Sequence, residues 1–140
     1  IEHDTYSAFN PVTEGTSVAN FSLPINQQSL ENLASADYMT CTVEDAINEG
    51  SGVLHLNMNR RMAKVIMTLD DIDSQCIALG VIIGSYQGFT DGNVSSGTAL
   101  VSPYVTIPEG GKAGQSGCKY TAIVAPGTAN PNSTFVSLNY

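Results

Sequence analysis

Few side chains in this sequence are spaced for chemistry. His3 and His55 are the two histidines, and neither has a second histidine four residues away or a Glu-x-x-His companion. Each therefore reads as a surface histidine and not as a metal ligand or base. Gly114-Gln115-Ser116-Gly117-Cys118 superficially resembles the elbow that presents a hydrolase's nucleophilic serine. Cys118 stands where the last glycine belongs, and no strand-to-helix pattern follows, so the stretch reads as loop. Asp70, Asp71 and Asp73, with Asp91, offer hard oxygen ligands for calcium. Their spacing lacks the Asp/Asn alternation, glycine and closing glutamate of a helix-loop-helix site, so loop solvation and protection of a strand edge account for them. Cys41, Cys76 and Cys118 are three in number without a C-x-x-C pair, which implies neither a zinc site nor a full disulfide framework. They read as buried apolar thiols in preference to one disulfide with one thiol left over. Arg60, Arg61 and Lys64 are three of the five bases. They mark an exposed bend, or a site that recognises an acidic glycan or protein partner. No glycine-rich phosphate loop is present and there is no Trp to stack on a sugar, though Tyr6, Tyr38, Tyr86, Tyr104, Tyr120 and Tyr140 leave carbohydrate binding open. Nothing here calls for a cofactor or metal.

Composition narrows the partners. A chain of 140 residues fits one domain with a self-sufficient core. Only 13% of residues are charged, while Ser, Thr, Asn and Gly are abundant, the habit of a secreted or surface-displayed β protein. Positions 1–59 carry eight acids and no Lys or Arg, and the net charge is -8. Such a surface repels phosphate backbones and anionic lipid, which disfavours nucleic acid and membrane surfaces as partners. No apolar run approaches the ~18 residues of a spanning helix, so no direct membrane insertion by this segment is expected.

The elements that must position these residues are arranged around the run 53–69. Leu54, Leu56 and Met58 alternate on even positions, whereas Ala63, Val65, Met67 and Leu69 alternate on odd ones. The apolar face thus changes parity near Arg60-Arg61, and a straight strand cannot do that. A strand with a bulge or bend at Arg60-Arg61-Met62 can. A helical stripe through Leu54, Met58, Met62 and Ile66 is the rival pattern, but the β-branched Val53, Val65, Ile66 and Thr68 favour strand.

Elsewhere, 1–9 reads as an edge strand ended by Asn10-Pro11, and 18–23 as a short strand closed by Pro24. Positions 30–38 have helical spacing over barely two turns, with Ser29 able to cap it, and so short a helix is expected either packed over one end of a sheet or left as loop. A short strand over 39–43 leads into an acidic loop over 44–52. The run 76–86 looks apolar enough for burial on both faces. Gly92-Asn93 marks a turn, Pro103 interrupts a strand over 99–107, and 109–117 is a glycine-rich hairpin-type loop. Strands over 119–124 and 134–140 complete the chain. Seven or so short strands with at most one short helix predict an all-β, antiparallel sandwich.

Four segments then carry a family resemblance. Phe21-Ser22-Leu23-Pro24-Ile25-Asn26-Gln27, Ala34-Ser35-Ala36-Asp37-Tyr38-Met39, the stretch Leu56-Asn57-Met58-Asn59-Arg60-Arg61-Met62-Ala63-Lys64-Val65, and Tyr120-Thr121-Ala122-Ile123-Val124-Ala125-Pro126 follow one another in order. Together they resemble the fimbrillin-like proteins of Bacteroidales, surface pilus subunits with "P-x-D-Q", "S-D-x-M", "F-x-H-x-M-A-K-V" and "Y-x-A-I-V-x-P-Q" motifs. Asn26, Met58, Arg60 and Gly127 depart from the residues that family favours, Asp, Phe, His and Gln. The resemblance implies a transthyretin-like sandwich, with 1–140 corresponding to one N-terminal domain incomplete at both ends. It also implies export as a lipoprotein precursor to the cell surface and outer membrane, and a non-enzymatic structural or adhesive role. Its partners would be other pilus subunits or further copies, joined by strand exchange, and host or bacterial surface glycans or proteins. The alternative is a surface glycan-binding module. The expected assembly edges are the terminal strands, at Tyr6, Phe9, Phe135 and Leu138. Against strand exchange stands the expectation that the two chain ends simply pair with each other.

Overall fold

Alternating apolar positions, with turns at nearly every glycine cluster, leave the chain little choice but short strands. The structure, a computed structural model, describes residues 3–12, 20–47, 56–73, 77–85, 87–127 and 132–140. Among these residues it is all-β apart from one short helix. Strands β1 (His3–Asn10), β2 (Met39–Ile47) and β3 (Asn59–Arg60) form one sheet in that order. β4 (Ala63–Thr68), β10 (Lys119–Val124) and β9 (Tyr104–Thr106) form a second, with β10 central. β11 (Val136–Asn139), β5 (Gly80–Ser85) and β8 (Ala99–Val101) form a third, and β6 (Gly88–Thr90) with β7 (Asn93–Ser95) a small hairpin. Every strand pair among the described residues is antiparallel.

The second and third sheets face each other across the core. Val65, Ala122 and Val124 meet Ile83 and Val101 in one apolar cluster, and Met67, Leu69, Tyr120 and Val105 meet Val81, Val136 and Leu138 in another. The first sheet closes one end through Phe9, beside a ring cluster in which Tyr38 stacks on Phe21 at 4.2 Å and meets Phe89 edge-on. Such aromatic contacts add to what burial alone supplies.

The change of parity near Arg60-Arg61 has a physical form that a bulge does not describe. β3 belongs to the first sheet and β4 to the second, so the chain leaves one sheet and enters the other at Arg61-Met62. β4 then alternates half-buried and exposed positions as expected, with Ala63, Val65 and Met67 inward. Pro103 marks a second transfer, from β8 in the third sheet to β9 in the second, and is itself buried.

Three other expectations are corrected. Residues 20–23 are not a strand: Leu23 N–H donates to Phe89 and Phe21 accepts from Gly92, at 3.0 and 2.8 Å, so the segment is tied to the β6–β7 hairpin by single bonds rather than a ladder. β2 continues through Glu44, Asp45 and Ala46 to Ile47, where a loop was expected. The run from Ile77 to Leu79 precedes β5 instead of belonging to it, and Leu79 is 73% exposed although it continues the parity of the buried Val81 and Ile83. Positions 18–19, 48–55, 76 and 86, with His55, Cys76 and Tyr86, lie outside the described residues.

Candidate functional site

The helix α1 (Leu30–Ser35) starts at Ser29, whose Oγ accepts from the Asn32 N–H at 3.1 Å, the cap its sequence anticipated. It buries none of its residues. Instead it forms one wall of a groove of ≈ 440 Å³ lined by Leu30, Leu33, Asp37, Arg60, Met62 and Lys64, with Ile123 on β10 also contributing. Arg60 Nε donates to both carboxylate oxygens of Asp37 at 3.1 Å. An exposed pair of this kind adds only about 0–1 kcal/mol, and its larger effect is to fix the guanidinium at the rim. Lys64 stands beside it on the exposed side of β4. Two of the three bases noted in the sequence, Arg60 and Lys64, thus stand around an aliphatic floor, while the exposed Arg61 does not line it.

Among the described residues no tyrosine lines this groove. Tyr38 and Tyr120 are spent on the core, and burial pushes both phenols up from the ordinary value of 10.0. The Arg61 charge opposes the rise at Tyr38. At Tyr120 the neighbouring Cys118 adds to it and a backbone hydrogen bond with Gly114 opposes it.

The other candidates resolve into structural roles. Ser116 Oγ accepts from the Ile72 N–H at 2.8 Å and donates to the Ile72 carbonyl at 3.1 Å, so its hydroxyl latches the 109–117 loop to the turn after β4. That loop is further pinned by Ala78 N–H donating to Gly114 at 2.9 Å. Cys118 is buried, its thiol donating to the Lys112 carbonyl at 3.2 Å, and Cys41 is a buried free thiol. Among the described residues, Asp70, Asp71, Asp73 and Asp91 are not gathered into a metal-holding group. Asp91-Gly92, both at positive φ, form the two-residue hairpin turn between β6 and β7.

Of the expected assembly residues, Tyr6 and Phe9 lie on β1 and Leu138 on β11, while Phe135 just precedes β11. β1 pairs only with β2 and β11 only with β5 among the described residues, so each is the edge of its own sheet and the two chain ends do not pair with each other. Phe9 and Leu138 are half-buried and pack into the two core clusters. Phe135 is 36% exposed and precedes β11, its carbonyl accepting from Gly84. Tyr6 pairs with Val43, its side chain lying outside the described residues.

One buried polar residue went unremarked in the sequence. Gln27, fully buried, donates through Nε2 to the carbonyls of Pro24 and Ile123 and accepts through Oε1 from the Ile123 N–H, each at 2.8 Å. Its backbone N–H donates to Ser102, whose own N–H donates to Ile25. The segment 24–27 thereby bridges the point where Pro103 parts the second and third sheets.

Comparison of the chain with protein-family profiles, with curated proteins and with solved structures gives no match in any of the three.

Proposed function

We propose that this chain is a non-enzymatic structural or adhesive subunit of a bacterial cell-surface fibre, exported as a lipoprotein precursor to the outer membrane and joined to its neighbours by β-strand addition. The four fimbrillin-like segments support the reading. The observation that carries it is the placing of β1 and β11 at the edges of separate sheets, each with a pairing neighbour on one side only among the described residues. An edge strand presents a row of backbone N–H and C=O groups that an extended segment of another subunit satisfies.

The test is oligomer size by sedimentation, with and without peptides carrying the sequence of β1 or β11, together with amide exchange along both strands. Peptide-dependent protection of the edge strands is the expected result. Protection already complete in the monomer and unchanged by either peptide would refute strand addition at these edges. Titration with surface glycans separates this role from that of a sugar-binding module, for which saturable binding at the α1 groove would be required.

A further inference from the structure

β4 offers a second edge with a property the terminal strands lack. Leu69 N–H donates to Cys118 and its carbonyl accepts from Gly117, so the backbone groups of Leu69 face β10. Alternation then turns those of Met67, Val65 and Ala63 the same way, and those of Lys64, Ile66 and Thr68 outward. The partner strand agrees, since Ile123, opposite Lys64, spends its N–H and C=O on Gln27 on the far side of β10. Among the described residues nothing pairs with the outer edge of β4.

On the exposed face of that edge the side chains run Lys64, Ile66, Thr68 and then Asp70, with Ile66 59% exposed. A lysine alone guards an edge against pairing. Here the row is charge-complementary to itself when reversed. We infer that β4 pairs antiparallel with β4 of a second copy of this chain, about a two-fold axis at Met67. Lys64 then lies opposite the second copy's Asp70, Ile66 opposite its Thr68, and the same two contacts recur across the axis. The register joins even positions to even positions, which are the ones whose backbone groups face outward. It therefore satisfies the edge ladder and both charge pairs together, and the interface is closed and isologous. This inference does not depend on the fibre reading, because a closed two-fold contact stops at two chains.

The symmetry dictates the experiment. Sedimentation velocity of the full chain at low ionic strength, up to about 0.5 mM, detects the weak dimers that such edge pairs support. Lys64→Glu sets two carboxylates against each other at the Asp70 contact, and Asp70→Lys sets two ammonium groups together, so each variant alone weakens the dimer by roughly tenfold or more. An equimolar mixture of the two variants regains both charge pairs and forms a heterodimer, and the double variant Lys64→Glu/Asp70→Lys regains the homodimer. Misfolded chains would not rescue one another, and far-ultraviolet dichroism of each variant checks the fold. A wild-type chain that stays monomeric throughout, variants that dimerise as well as wild type, or a mixture that fails to associate would each overturn the proposal.

Discussion

The Gln27 side-chain amide pairs with the backbone of Ile123 as a neighbouring strand would, donating to its carbonyl and accepting from its N–H at 2.8 Å. It does so where the pairing of β10 with β9 has already run out at Tyr104, leaving the last residues of that β10 edge without a partner strand among the described residues. Replacing Gln27 by Leu keeps much of the volume but strands the Ile123 N–H and two carbonyls in the core. The expected loss is about 2–4 kcal/mol, read from urea unfolding midpoints. Gln27→Glu should be at least as damaging, because a carboxylate there cannot donate to those carbonyls.

The sheet transfer at Arg61-Met62 sets opposite expectations on its two sides. Val65→Asp or Met67→Asp places a charge in the shared core and should cost about 3 kcal/mol or more. Asn57→Asp and Asn59→Asp lie on exposed positions before the transfer and should fall within about 0.5 kcal/mol. Thermal melts of the four variants give the comparison, and equal, mild effects at all four would contradict the inward placing of β4.

Gly114 lies at φ 83, and a Cβ there would collide with the Ala78 carbonyl. Gly114→Ala should therefore loosen the 109–117 loop from Ala78, destabilising the chain by about 1–3 kcal/mol with faster amide exchange at Ala78.

Stability should fall at alkaline pH. Burial raises the Tyr38 and Tyr120 phenols above 10.0, so the folded chain holds protons that the unfolded chain releases. Their contribution is complete below the ordinary tyrosine range and is lost as pH rises through it toward the raised values. Denaturant unfolding between about pH 8 and 11, a window that brackets ordinary tyrosine ionisation, should show this decline. In Tyr38→Phe, which keeps the ring on Phe21, the decline should be shallower.

Much of the architecture could be read from the residues. Alternation located β4 and β10, Ser29 and the spacing after it allowed a short helix or a loop, and the parity change at Arg60-Arg61 found the place where the chain changes course. What parity cannot say is whether a strand bulges within one sheet or passes into another, since both restore the buried face. The apolar run before β5 misled for a related reason: Ile77 and Leu79 look like core until the neighbours of β5 are known. Gln27 lay within one of the family-like segments, yet its partner is 96 positions away, and no local pattern reports a contact of that span. The groove beside α1 was half visible as a cluster of bases, but its aliphatic floor draws on Ile123 and is assembled only by the fold.

The central position of β10 also governs when the molecule can form. Its neighbours β4 and β9, and Gln27 before them, all precede it in the chain, so none can be satisfied until residues 119–124 are available. A nascent or refolding chain must close loops of that length before the second sheet exists, an entropic cost that precedes any reward from packing. Folding should accordingly be a late, nearly all-at-once event on the millisecond-to-second scale typical of non-local β topologies.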